Sequence, residues 1–161
     1  MPVSIFIENN PFKEKISREM YIEEKVKDIH LDTMPERIRF YRIKNKIGGL
    51  EMGRLIGMKE PRSYEKTYEN PAHPYNGVEN IRKICKVLAV DENLIFDDYI
   101  RFIAEDYKSK IKKLRELNGM KLYEMDKLFG LCRGTYSKWE KGISVPNRKS
   151  VEKILAIIKD N

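Results

Sequence analysis

Residues 120–142 read MKLYEMDKLFGLCRGTYSKWEKG, and the order of apolar and breaking residues in this stretch decides the fold. Met125 and Phe129 stand four apart, the spacing of one helical face. Tyr136 and Trp139 stand three apart and serve a second helix in the same way. Gly130 falls between them, where the chain must turn through a left-handed backbone that glycine adopts freely. Met125, Phe129, Leu131, Tyr136 and Trp139 therefore lie where two short helices, 121–129 and 133–141, cross steeply and share a core. The second helix keeps an outer side of Arg133, Gly134, Thr135, Ser137, Lys138 and Lys141. Short hydrogen-bonding groups and cations around one glycine make a surface that can come close to base edges and phosphates.

Downstream, Gly142 stops the second helix and a loop runs to Pro146. Val151, Ile154, Leu155 and Ile158 then mark the inward face of a last helix, 148–159. Upstream, Ile95, Phe96, Tyr99, Ile103, Tyr107, Ile111, Leu114 and Leu117 suit a helical stripe. This predicts a helix near 94–104 that either continues or bends into one near 106–118, stopped by Gly119. Ile81, Ile84, Cys85 and Leu88 give the buried face of a helix over 78–89, with Cys85 as a small core residue. The stretch 58–77 is punctuated by Pro61, Pro71, Pro74 and Gly77. A short helix over 50–56 ends at Gly57. Another, 36–45, opens at Pro35 and breaks at Gly48-Gly49. At the N-terminus Ser4-Ile5-Phe6-Ile7 suits a strand. Asn10-Pro11 reads as a cap and first helical residue, and Phe12, Ile16, Met20, Val26 and Ile29 carry a rough helical stripe to about 29. The fold class is all-α: two small bundles joined by a helical linker, with a strand/helix appendage. The expected domains are 1–34, 35–104 and 105–161.

Composition fits this reading. The 161 residues are 41% hydrophobic and 35% charged, with a net charge of +7. Residues 104–161 hold 14 Lys and Arg against 8 Asp and Glu, while residues 1–103 hold 18 against 17. Nearly all of the positive excess therefore sits in the last third, where it attracts polyanions. No apolar run approaches the roughly 18 residues that span a bilayer. The opening MPVSIFIENN lacks a basic segment and cleavage site. Cys85 and Cys132 are far apart and form no disulfide or metal-ligand pattern, so a reducing, cytoplasmic setting is expected. His30 and His73 are isolated. No phosphate loop, paired ligands or nucleophile motif is present, so an enzyme, a metal site and a cofactor are not expected.

The segment 111–158 resembles the Cro/C1 (XRE-like) helix-turn-helix family. The resemblance rests on Lys-Lys-Leu-Arg-Glu-Leu-Asn-Gly at 112–119, the Gly130-Leu131-Cys132-Arg133 turn, the Tyr136-Ser-Lys-Trp-Glu-Lys-Gly142 ending, and Pro146. It implies DNA contact by the start of the first motif helix and the exposed side of the second, hence by Lys121, Arg133, Gly134, Thr135, Ser137, Lys138 and Lys141. Arg133 has the chemistry for a bidentate pairing with guanine. Tyr136 and Trp139 are core residues, and Glu140 is a helix-end charge or an intramodule ion pair. Leu122 stands where the family often has Gln. Cys132 replaces a Ser-like cap, which predicts a less firmly started helix.

A weaker likeness covers about 35–98. Glu36-Arg-Ile-Arg-Phe-Tyr-Arg resembles the opening of the same family's first helix, and about two extra residues follow Gly57. The would-be second motif helix, 60–69, holds three acids against Arg62 and Lys66, which suits a degenerate repeat better than a DNA reader. The two together read as an imperfect tandem repeat of helix-turn-helix modules. The resemblance implies a sequence-specific transcriptional regulator of bacterial or phage type, a repressor, whose 133–141 helix enters the major groove. The alternative is an antitoxin-like or anti-repressor protein-interaction module on the same scaffold. Double-stranded DNA is the expected partner. A homodimer through the N-terminal half or linker helix, and a protein partner, are further options; a membrane is not.

Overall fold

The computed structural model describes residues 11–159, with side chains from residue 18 onward. The strand expected at 4–7 and the stripe positions Phe12 and Ile16 lie outside the described residues. Among the described residues the regular structure is all helical. In order the elements are α1 (Pro11–Lys27), α2 (Met34–Lys44), α3 (Gly49–Leu55), a 3₁₀ turn (Pro61–Ser63), α4 (Tyr64–Tyr68), α5 (Val78–Leu88), α6 (Glu92–Ile95), α7 (Asp98–Ala104), α8 (Tyr107–Leu117), α9 (Leu122–Phe129), α10 (Thr135–Glu140) and α11 (Arg148–Lys159). No helix among them is long and apolar enough to cross a membrane. Two compact units emerge. One is Met1–Tyr75 with Arg82–Ile95, the other Asn76–Ile81 with Phe96–Asn161.

In the first unit, Thr33 and Glu36 start α2 through a reciprocal cap. The Thr33 amide donates to Glu36 Oε2 at 3.0 Å and the Glu36 amide donates back to Thr33 Oγ1 at 3.4 Å. Met34, Ile38, Met52, Ile56, Tyr64, Tyr68, Ile84, Cys85, Leu88 and Ile95 are buried. Burial pushes the Cys85 thiol up to about 11, as expected of an inert core residue. Met20, on the N-terminal helical stripe, is 64% exposed. Gly53 is required by close approach: a Cβ there would lie 2.5 Å from the Pro61 carbonyl oxygen, so α3 meets the following turn backbone to backbone.

Of the two courses open to the stretch 94–118 the chain takes the broken one, and it also breaks before Asp98, within the helix expected over 94–104. Asp97 starts α7 by accepting from the Ile100 amide at 2.8 Å, and Asp106 starts α8 by accepting from the Ser109 amide at 3.3 Å. Each carboxylate claims an amide that a continuing helix would have bonded to its own carbonyls. In the second unit, α7 packs on α8 and α11. The Tyr99 hydroxyl donates to the Pro146 carbonyl at 3.2 Å, and Arg148 lies over the Tyr99 ring while its Nη1 donates to Asp97 Oδ2 at 2.6 Å.

The units share a set of local bonds, residue for residue. In the first, Arg42 Nε and Nη2 donate to the two Glu69 carboxylate oxygens at 2.5 and 2.7 Å. In the second, Arg115 Nε and Nη2 donate to the Glu140 oxygens at 2.7 and 3.3 Å. Asn45 Nδ2 donates to the Tyr41 carbonyl, and Asn118 Nδ2 to that of Leu114, both at 2.8 Å. The residue after each asparagine, Lys46 or Gly119, has φ 61.

Candidate nucleic-acid interface

The site is built by α8, α9 and α10, with α10 packed on both of the others. Ile111 and Leu114 from α8, Met125 and Phe129 from α9, and Tyr136 and Trp139 from α10 are all buried. The Tyr136 ring stacks on Phe129 at 5.9 Å and meets Trp139 at 5.7 Å. Its hydroxyl donates to the Ile111 carbonyl at 2.8 Å, and burial pushes its phenol up. These contacts spend one side of α10 entirely on the core. Gly130 makes the turn at φ 65, as its place in the sequence requires.

Lys121 precedes α9, and its amide donates to Glu124 Oε2 at 2.6 Å. The Glu124 carboxylate thus fixes the backbone from which the Lys121 ammonium projects. Lys121, Arg133, Lys138 and Lys141 are exposed, and Gly134, Thr135 and Ser137 are half-buried among them. Of the seven residues expected from the sequence, Thr135, Ser137 and Lys138 lie on α10, and Lys121, Arg133, Gly134 and Lys141 in the residues that flank α9 and α10. Glu140 is not on that face as a free charge: it holds Arg115, and its hydrogen bonds push the guanidinium's pKa up.

One boundary needs correction. The second motif helix does not begin at residue 133. It begins at Thr135, with Gly134 as its cap at φ 83 and Arg133 in the preceding turn. Cys132 is exposed, and its carbonyl accepts from the Thr135 amide at 3.1 Å. The capping side chain comes from elsewhere. Asp126, buried on α9, accepts from the Gly134 amide through Oδ2 at 2.7 Å and from the Tyr136 amide through Oδ1 at 2.9 Å. Sequence reading missed Asp126 because capping was sought next to the helix rather than eight residues before it. An acid between Met125 and Phe129, on a face otherwise bound for the core, was the available signal.

Two other features were not anticipated. The Lys108 side chain of α8 lies against Gly142, where an added Cβ would sit 2.9 Å from its Cδ. This brings an exposed cation to the end of α10, where the loop 142–147 has none. Leu122 and Tyr123, the first two residues of α9, are 37% and 53% exposed.

In the first unit the three acids of 60–69 do not share one outward face. Glu69 is buried on Arg42, and the exposed Glu65 turns its Oε1 to Arg42 Nη2 at 3.0 Å. The helix is short, Tyr64–Tyr68, and is preceded by the 3₁₀ turn rather than extending over 60–69.

Residues 111–159 match the family model described as helix-turn-helix. The match covers α8 from its first buried residue, Ile111, through α11, and leaves the first unit outside it. Neither the curated proteins nor the solved structures include a match.

Proposed function

We propose that this protein is a sequence-specific DNA-binding transcriptional regulator, with residues 105–161 as its reading domain. The turn at Arg133 and the exposed side of α10 enter the major groove. The observation that carries this reading is the division of α10. Tyr136 and Trp139 anchor one side in the core, while Lys138 on the helix, Arg133 in the turn before it and Lys141 just after it are exposed. Arg133, Thr135 and Ser137 face base edges. Lys121, Lys138 and Lys141 hold phosphates, and Gly134 lets the backbone approach. The first unit is a degenerate partner module, and the paired Arg–Glu clamps and asparagine caps support an imperfect tandem origin. Its role is scaffolding. The regulatory sign proposed is repression, which occupancy of a site alone produces, in a cytoplasmic setting.

Selection of bound duplexes from a random pool tests this. The selected duplex is expected to bind in the nanomolar range and to weaken steeply with salt. Arg133→Ala with Lys138→Ala should abolish the preference. Equal binding by the double variant would show that the reading face is misassigned. Copurification of a stoichiometric protein partner without DNA retention would favour an interaction module instead.

A further inference from the structure

Asp126 sits on α9, beneath the side chains that face outward, and is 5% exposed. The first amides of a helix have no partner inside it. Gly134, as the cap of α10, has no side chain to offer them. Asp126 supplies two acceptors there, one oxygen to Gly134 and the other to Tyr136. Two oxygens on two amides fix direction as well as distance. The carboxylate therefore decides where α10 starts and which way its first turn faces. Arg133 immediately precedes that start, and Thr135 and Ser137 lie within its first turn.

We infer that Asp126 is a positioning residue for base reading: it touches no DNA, yet its carboxylate sets the placement of Arg133, Thr135 and Ser137. This rests on the DNA-reading function proposed above. The sign of its charge makes the inference sharp. An acid under a cationic face opposes phosphate attraction, so electrostatics alone has its removal tighten binding to any duplex. Positioning has its removal weaken binding to the matched duplex only.

The test uses the full chain with Asp126→Asn. The amide accepts from one backbone N–H and confronts the other with a donor. Affinities for the selected duplex and for random duplexes are measured over a salt series, at a temperature where circular dichroism shows the variant folded. Amide hydrogen exchange is followed in parallel. Selected-site affinity is expected to fall by roughly tenfold or more, the scale of one lost charge-assisted bond. Random-duplex affinity should hold or rise, and the salt slope should stay constant because no phosphate contact is lost. Exchange should quicken at Gly134 and Tyr136. It should not quicken at Leu131, whose amide donates to the Asp126 backbone carbonyl at 2.8 Å. Equal losses on both duplexes would make Asp126 purely structural and overturn the inference, as would unchanged or tighter binding to the selected site. If the wild-type chain prefers no duplex, the DNA-reading proposal itself falls and this one with it. Quickened exchange with selectivity intact overturns the Asp126 inference alone.

Discussion

Tyr64 and Tyr136 are both fully buried, but their hydroxyls have different needs. Tyr136 donates to the Ile111 carbonyl. The Tyr64 hydroxyl has no hydrogen-bond partner among the described residues. Losing a made bond costs about 1 kcal/mol, whereas removing an unpaired buried hydroxyl is neutral or favourable. Tyr136→Phe is therefore expected to lower the urea midpoint and Tyr64→Phe to leave it unchanged or raise it. Equilibrium denaturation of the two variants checks this directly, and a larger loss at Tyr64 would contradict it. The residue scale is also where the ion pairs differ. The Arg42 and Glu69 side chains are 8% and 4% exposed, those of Arg115 and Glu140 20% and 12%. Removing Arg42 leaves the deeply buried Glu69 carboxylate uncompensated, whereas removing Glu69 leaves Arg42 its pairing with Glu65.

At the scale of elements, α2 and α8 end in the same way but with different residues. After each comes a left-handed position at φ 61, filled by Lys46 in one and Gly119 in the other. A side chain there crowds the following carbonyl, a strain of about 1–2 kcal/mol that glycine avoids. Lys46→Gly is expected to stabilise the first unit by about 1 kcal/mol, read as a raised denaturation midpoint. Much of this level was legible in the sequence. Met125, Phe129, Tyr136 and Trp139 declared a shared core through their spacing, Gly130 declared the turn, and of the two readings open for Glu140, a helix-end charge or an ion pair, the second is the one found. The misreadings share a cause. The start of α10, the break before α7 and the inward turn of Glu69 each depend on a carboxylate finding a particular donor. Periodicity registers which face a residue is on, but not which amide or guanidinium its side chain will reach. Asp97 and Asp106 were in plain view as capping residue types. A bend near Asp106 was one of the two readings, but the long apolar stripe running through Asp97 outweighed its signal.

For the whole molecule the deciding quantity is where the positive charge sits. The excess lies in residues 104–161, and in the first unit Glu65 and Glu69 are turned to Arg42. If the second unit alone reads DNA, its cations set the salt dependence. Lys121→Ala with Lys141→Ala should lower the log–log salt slope by about 2, at roughly 0.9 per phosphate contact. Arg62→Ala with Lys66→Ala should leave it unchanged. A matching drop from the second pair would assign phosphate contacts to the first unit as well. The bridge from Asp126 also bears on portability. Copying 133–141 into another scaffold of this kind would carry the proposed contact residues other than Lys121 and leave behind the carboxylate that caps the start of α10. A working graft has to bring residue 126 along. If Asp126 positions that face as inferred, the transferable unit is a pair of helices, and a single helix cut out of it is incomplete.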